Sequence, residues 1–257
     1  MASVPALLAA SATGVAPEHS VFEVRSSVAR AGRPFLPDAE LELLPALSAA
    51  ARRLPRSPDS VLLVVAECPL PLGIPDVLAV VADRTRLAAR FTSDISPLLA
   101  QQDARVAAAC GIRRPTSLAS LSSVTGVSDR HTRTIVKRLE RAGAITRFGS
   151  GWLRDPVLVP VGRTYALEAK VSDWRRGLAQ CLRYSTLADA TALAIGVLPS
   201  RAREEALRAA ADVNVGVFFN GRWIVRPRIS RLAPDRRLWV NEHILSALGD
   251  HASATEP

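Results

Sequence analysis

The chain carries a glutamate and a lysine two residues apart, Glu168 and Lys170, at the end of the run TYALEAK. In a β-strand, residues i and i+2 point to the same face of the sheet, so these two side chains share a face. A carboxylate there can hold a metal ion while an ammonium group stabilises charge on an attacked phosphate. The chain contains 31 arginines and only two lysines, so Lys170 indicates that a compact ammonium is needed at this position.

A second carboxylate, Asp76, begins the apolar run DVLAVVAD. An aspartate that interrupts a hydrophobic run needs a local partner. Carboxylates at the ends of adjacent strands provide the oxygen ligands that Mg²⁺ and Mn²⁺ prefer. We therefore predict a metal site formed by Asp76 and Glu168, with Lys170 beside it. The alternative is that Glu168 and Lys170 form a surface ion pair, which contributes less than ~1 kcal/mol and has no function.

The elements that position these residues alternate between strands and helices. Apolar runs predict strands, and spacings of three and four predict amphipathic helices, one of them capped by Ser172. This alternation predicts an α/β fold with a mixed sheet flanked by helices. The predicted strands are 60–67, 76–83, 164–170, 191–198 and 214–220, and the predicted helices are 39–54, 172–189 and 200–212.

The pattern changes over residues 104–154, where helices are predicted at 104–111, 117–126 and 128–143. Ser128 is placed to cap the third helix, and Gly143 ends it. Two short strands follow around Gly149, Ser150 and Gly151. Three helices followed by a hairpin resemble a winged helix-turn-helix domain. In its third helix, one predicted apolar face consists of Ile135, Leu139 and Ala142.

Basic charge is concentrated in the same segment. Residues 104–154 hold ten arginines or lysines and two acids, a net charge of +8 out of +9 for the whole chain. This concentration favours DNA as a partner over a general preference for arginine. The alternative is a winged helix that docks another protein. The predicted DNA-binding residues are Ser128, Arg130, His131, Arg133, Lys137 and Arg138 on the third helix and Arg147 and Trp152 on the hairpin.

The acidic motifs resemble those of the PD-(D/E)xK nuclease superfamily, which includes restriction endonucleases and RecB-type nucleases. Pro75-Asp76 resembles its first motif, and Glu168-Ala169-Lys170 resembles its second. The resemblance implies a restriction-endonuclease-like core from residues 21–103 and 155–250. The segment 104–154 would be a DNA-binding insertion in that core.

In RecB-type nucleases the helix after the lysine carries a glutamine and, four residues on, a tyrosine. Gln180 and Tyr184 match this pattern, so the resemblance implies that they orient the site or the DNA backbone. They border an apolar stripe made of Trp174, Leu178, Cys181 and Leu182. Glu67 is either a further metal ligand or a solvated strand end. Glu40 and Glu42 match only loosely the glutamate that an early helix supplies in this family.

The resemblance implies Mg²⁺- or Mn²⁺-dependent hydrolysis of DNA phosphodiester bonds, with Asp76 and Glu168 binding the metal and Lys170 stabilising charge. The alternative is a non-cleaving transcriptional regulator or defence-associated factor on a degenerate nuclease fold. The two functions share the winged helix and differ only in the core.

The amino-acid composition limits the class of protein to which this chain can belong. Hydrophobic residues make up 48% of the 257, and no apolar run reaches the roughly 20 residues that a membrane helix needs. The three cysteines are widely spaced among apolar neighbours and predict buried thiols in a reducing cytoplasm. We expect a cytoplasmic, prokaryotic protein with a disordered tail at residues 1–20 and no membrane partner. A homodimer is left open.

Overall fold

The computed structural model describes residues 21–25 and 42–255. The predicted disordered tail, 1–20, lies outside the described residues. Numbered along the chain, the strands are β1 (Val21–Arg25), β2 (Ser60–Ala66), β3 (Val77–Asp83), β4 (Thr116–Ser117), β5 (Ile145–Phe148), β6 (Gly151–Arg154), β7 (Gly162–Lys170), β8 (Ala190–Ile195), β9 (Gly216–Phe219) and β10 (Arg222–Val225). The helices are α1 (Leu44–Arg52), α2 (Arg84–Phe91), α3 (Gln101–Ala109), α4 (Leu118–Thr125), α5 (Asp129–Arg141), α6 (Trp174–Tyr184), α7 (Ser200–Asp212) and α8 (Pro234–Thr255).

The chain forms two compact units, and the second consists of residues 85–161 and 233–246. This unit contains the basic segment predicted as an insertion, and it is larger than that segment. Residues 85–103 and 233–246 belong to it, whereas the sequence assigned both stretches to the α/β core. Both stretches bury apolar side chains such as Leu98 and Leu238.

The first unit is an α/β layer built on a mixed sheet of seven strands. Their order is β1-β2-β3-β7-β8-β9-β10. β1 pairs parallel with β2, and β8 pairs parallel with both β7 and β9. The pairs β2–β3, β3–β7 and β9–β10 are antiparallel. The predicted α/β class with a mixed sheet and flanking helices is confirmed.

Helices cover both faces of this sheet. On one face, α1 packs through Leu47 and Ala51 on strand residues that include Tyr165 and Leu167. On the other face, α6 and α7 pack on a cluster that includes Leu193. Since both faces are buried, β2 and β8 read as continuous apolar runs without alternation.

Most predicted elements agree with the structure to within a few residues, but the cap of α6 does not. Asp173, not Ser172, is the N-cap residue, and its carboxylate accepts a hydrogen bond from the Arg176 N–H at 3.1 Å. Leu182, expected in the apolar stripe of α6, is 44% exposed, whereas Trp174 is buried. The apolar face of α6 is therefore narrower than predicted.

In the second unit, α3, α4 and α5 pack on one another through buried residues that include Leu121, Ile135 and Leu139. A small antiparallel sheet follows, with strand order β4-β6-β5. The helix α4 ends at Gly126, whose φ of +68° is the left-handed conformation typical of a glycine helix end. Ala142, expected on the apolar face of α5, is exposed, and Val136 is buried instead.

Within the described part of the chain, no helix is both long enough and apolar enough to cross a membrane. The three cysteines are free thiols, as predicted: Cys68, Cys110 and Cys181 are all buried. Burial raises the pKa of the Cys68 thiol to about 12 and that of Cys110 to about 11.

Candidate functional sites

Asp76 directly precedes β3, and Glu168 lies on the neighbouring strand β7 of the large sheet. β3 and β7 are antiparallel with Val77 opposite Leu167, and continuing this register by one residue places Asp76 opposite Glu168. Directly opposed residues point to the same face, with their Cβ atoms about 5 Å apart. The Ala169 N–H donates a hydrogen bond to Asp76 Oδ2 at 2.8 Å, which fixes this carboxylate against the end of β7.

Glu168 and Lys170 form a buried ion pair. Glu168 is 1% exposed and Lys170 is 5% exposed. The ammonium nitrogen Nζ donates to Glu168 Oε1 at 3.1 Å and to the Ala169 carbonyl at 2.8 Å. The interpretation as a surface ion pair is therefore wrong. Because two charges are costly to remove from water, this pair is weak evidence for stability and stronger evidence for another role.

Helix α6 covers the charged cluster through a glycine. A Cβ atom on Gly177 would lie 2.5 Å from Leu193 Cδ1 and 3.0 Å from Lys170 Cγ, so only a glycine permits this close approach. One turn later on α6, the pKa of the Cys181 thiol is affected by the charges of this cluster. Its pKa is raised mainly by burial and further by the negative charges of Glu168 and Asp76, while Lys170 lowers it.

Tyr184, at the end of α6, holds the loop that leads into Asp76. Its side chain is buried, and its hydroxyl donates a hydrogen bond to the Ile74 carbonyl at 3.1 Å. The ring lies 3.4 Å from the Cβ position of Gly73, whose φ is +132°. This contact fixes the backbone two residues before Asp76. The hydrogen bond therefore joins the end of α6 to the loop before Asp76.

Gln180 lies one turn before Tyr184 and is half-buried. Its side-chain oxygen, Oε1, is shielded from solvent and has no hydrogen-bond partner among the residues that the structure describes. A buried amide oxygen without a donor is costly, so Gln180 is available to accept a hydrogen bond.

Glu67 directly follows β2, and its backbone lies next to that of Asp76. The register of β2 with β3 places Glu67 opposite Asp76, and its N–H donates to the Asp76 carbonyl at 3.0 Å. However, Glu67 has a φ of +54°, so the chain leaves the strand geometry there. Glu67 is buried and not a solvated strand end. Glu42 is exposed, and Glu40 lies outside the described residues.

The carboxylates supply a pair of candidate metal ligands but no larger set. Across 21–25 and 42–255, no group of three or more His, Cys, Asp and Glu side chains is arranged to hold a metal ion. Asp76 and Glu168 fit Mg²⁺ or Mn²⁺ by their chemistry, since both cations accept carboxylate oxygens together with waters.

The second candidate site is the exposed face of α5. Arg130, His131, Arg133 and Lys137 are all exposed. With Asp129 and Thr134, three of them line a surface depression of about 460 Å³. The described residues offer Arg130, Arg133 and Lys137 no ion-pair partner. Their charges are therefore available to a polyanion.

Ser128 stands at the N-cap of α5, as predicted, but its side chain makes no capping hydrogen bond. The side chain is exposed at the start of the basic helix. On the opposite side of α5, Thr132 is buried among the apolar residues and donates a hydrogen bond to the Val127 carbonyl at 3.3 Å.

Arg138 differs from the other basic residues of α5 because it is engaged within the unit. Its Nε donates to Asp103 Oδ2 at 2.9 Å, and its Nη2 contacts the other carboxylate oxygen. The hydrogen bond to Asp103 raises the pKa of the Arg138 guanidinium. Arg138 therefore links α5 to α3, which the sequence did not predict.

The hairpin of β5 and β6 places Arg147 opposite Trp152. The Arg147 guanidinium lies 5.9 Å from the centre of the indole ring, a cation–π distance. Arg147 is exposed and Trp152 is half-buried, so the arginine covers one side of the ring. Phe148, next to the turn, is 62% exposed.

Sequence reasoning missed two residues that shape these sites. Gly177 lies within an amphipathic helix, where a glycine costs about 1 kcal/mol relative to alanine and so signals a close approach. Asp103 lies next to a segment with ten basic residues and two acids, and a lone acid in such surroundings signals an ion pair.

Comparisons of the chain with protein-family models, with curated proteins and with solved structures each returned no match.

Proposed function

We propose that this protein binds DNA and hydrolyses its phosphodiester bonds with Mg²⁺ or Mn²⁺, on a core of the PD-(D/E)xK nuclease type. The observation that supports the proposal is the register of β3 and β7, which aligns Asp76 with Glu168, together with the hydrogen bond from Lys170 Nζ to Glu168 Oε1. A buried lysine in a chain that otherwise uses arginine supports a chemical role.

Asp76 and Glu168 would hold the metal ion. When bound, such an ion polarises a phosphoryl oxygen and lowers the pKa of a bound water. The chain's own residues position this chemistry. The Ala169 N–H orients the Asp76 carboxylate, and Tyr184 fixes the loop before it through the Ile74 carbonyl.

Lys170 would stabilise negative charge on the attacked phosphate. In the present arrangement its ammonium is held by Glu168 Oε1 and the Ala169 carbonyl. A phosphate oxygen could take the place of one of these acceptors. It would then accept a hydrogen bond from one of the three N–H donors of the ammonium. Gln180, whose side-chain oxygen is unsatisfied, would accept a hydrogen bond from a donor at the site.

For DNA binding, we infer that α3, α4 and α5 with the β5–β6 hairpin act as a winged helix-turn-helix. Arg130, Arg133 and Lys137 would contact the DNA from α5, and Arg147 would contact the backbone from the hairpin. The exposed and unpaired charges of α5 support DNA over an apolar protein partner. Arg138 is removed from this set because Asp103 holds it.

One observation favours the second candidate, a non-cleaving DNA-binding regulator or defence-associated factor. Glu168 and Lys170 are almost fully buried and neutralise one another. Charges that are paired with one another in this way can remain in a nuclease-like core that binds no metal. This function would use the same α5 surface.

The test is a cleavage assay on plasmid and linear DNA with Mg²⁺ or Mn²⁺, run beside a gel shift in EDTA. We expect the wild-type protein to shift DNA in EDTA and to cut it when either cation is added. The matched control is Asp76→Asn, which should shift DNA as the wild type does and not cut it. A wild-type protein that shifts every DNA tested and cuts none would establish the regulator function instead.

A further inference from the structure

A second basic surface lies in the first unit, on the segment between β10 and α8. Residues 226–231 read RPRISR and have no regular secondary structure. Arg226, Arg228 and Arg231 are all exposed, and the described residues provide none of them with a hydrogen bond or an ion pair. We call residues 226–231 the arginine strap.

The backbone of the strap is anchored although its arginines are not. The Ser230 N–H and hydroxyl both donate to the Asp189 carbonyl, at 2.7 Å and 3.1 Å. Asp189 is itself fully buried, and its carboxylate accepts a hydrogen bond from the Thr164 N–H of β7. Pro227 packs so closely on Gly216 that a Cβ there would lie 2.8 Å from the proline ring. The strap therefore presents its three charges from a fixed backbone.

The charge of this region is not offset locally. Residues 222–232 contain four arginines and no acid, a net charge of +4. Arginines on nearby helices differ, since Arg208 pairs with Glu204 and Arg175 pairs with Glu205, each at 2.6 Å. Like charges held together without counter-charges repel one another, and a bound polyanion relieves that repulsion.

The strap lies near the opposite end of β7 from the acidic cluster. It is anchored through Asp189 to Thr164, near the start of β7, whereas Glu168 and Lys170 end that strand. Four residues of strand separate Thr164 from Glu168, a distance of about 13 Å. The strap is thus a surface separate from Asp76, Glu168 and Lys170.

We propose that the arginine strap is a second DNA-binding surface, which contacts backbone phosphates through Arg226, Arg228 and Arg231. The inference rests on the proposed function, because it takes DNA as the polyanion. Anchored arginines outside any helix or strand are suited to phosphates and not to base edges, so the strap adds affinity without sequence preference. DNA is favoured over an acidic protein because α5 presents a second set of unpaired charges.

The test measures how DNA affinity depends on salt, using the full chain in EDTA and a random-sequence duplex followed by fluorescence anisotropy. The strap variant combines Arg226→Gln, Arg228→Gln and Arg231→Gln. We expect its plot of log K against log salt to be shallower by about 2 to 3, and its affinity at 0.15 M salt to fall by about 10- to 100-fold.

Two control variants distinguish the loss of phosphate contacts at the strap from a change in net charge and from misfolding. A variant with Arg201→Gln, Arg203→Gln and Arg208→Gln on α7 has the same change in charge and should keep the wild-type slope. A variant with Arg226→Lys, Arg228→Lys and Arg231→Lys keeps the charge and should also keep the slope. If the glutamine variant does not fold, the single change Arg228→Gln should lower the slope by about 1.

A variant of α5 with Arg130→Ala, Arg133→Ala and Lys137→Ala distinguishes this inference from the proposed function. If the α5 variant loses slope and the strap variant does not, the strap inference is overturned and DNA binding through α5 stands. If only the strap variant loses slope, the strap inference stands and the α5 surface is wrong. If wild-type protein shows no affinity for DNA, both proposals fail.

Discussion

The two groups of charges singled out in the sequence are accommodated in opposite ways. In the first unit, Asp76, Glu168 and Lys170 are at most 5% exposed and are hydrogen-bonded to one another or to adjacent backbone. In the second unit, Arg130, Arg133 and Lys137 lie in solvent without partners among the described residues.

This difference shows what each group can contribute. A buried ion pair costs several kcal/mol of desolvation per ion, which its Coulomb energy barely offsets, so stability alone does not explain it. An exposed charge costs almost nothing to the fold and adds nothing to it. Removing the buried charges should therefore affect both the fold and the chemistry, whereas removing the exposed ones should affect only binding.

The largest expected effect is on stability, from Glu168→Ala. The change removes the Glu168 carboxylate that pairs with the buried Lys170 ammonium, so we expect the free energy of unfolding to fall by about 3 to 5 kcal/mol. Denaturant unfolding measures this loss. The matched control is Glu205→Ala, which breaks the exposed pair with Arg175 and should cost less than ~1 kcal/mol. Equal losses of unfolding free energy in the two variants would show that the buried ion pair matters no more to stability than the exposed one.

The second prediction compares the two lysines of the chain. Lys170→Arg places a longer, planar group against Gly177 and beside the acids, so we expect Mg²⁺-dependent cleavage to fall by on the order of 10²-fold or more. Lys137→Arg keeps an exposed charge on α5 and should leave cleavage unchanged. Both variants should bind DNA as the wild type does. Unchanged cleavage by the Lys170 variant would place that residue outside the chemistry.

The third prediction concerns the exposed face of α5. Replacing Arg130, Arg133 and Lys137 by alanine should lower the salt slope of DNA binding by about 3, since each phosphate contact contributes about 0.9. The free energy of unfolding should change by no more than about 0.5 kcal/mol, because these side chains are exposed. Salt titration and denaturant unfolding of the same preparation measure both quantities. An unchanged slope would support the alternative that α5 docks a protein.

The smallest expected effect comes from Arg138, the basic residue of α5 that is paired. Arg138→Ala should leave the salt slope unchanged and lower the free energy of unfolding by less than ~1 kcal/mol, because its side chain is 52% exposed. Asp103→Ala should have a similar effect, and the double variant should lose little more than either one. A slope lowered by about 1 would show that Arg138 leaves Asp103 to reach a phosphate.

Local sequence predicted most elements, because apolar runs and spacings of three and four depend on neighbours along the chain. The helix at 200–212 and the strand at 60–66 follow from such patterns. The ends of helices were predicted less accurately, since several polar residues compete to cap a helix. Asp173 caps α6 although Ser172 precedes it.

The pattern of residues is enough to predict that Glu168 and Lys170 share one face of a strand, because side-chain alternation is a property of the local backbone. It also determined that α5 has one basic face. The tertiary structure alone decided that Asp76 stands opposite Glu168, that α6 buries the lysine against Gly177, and that Asp103 holds Arg138. These contacts join residues far apart in the chain, and burial depends on what packs above a strand, which local spacing does not encode.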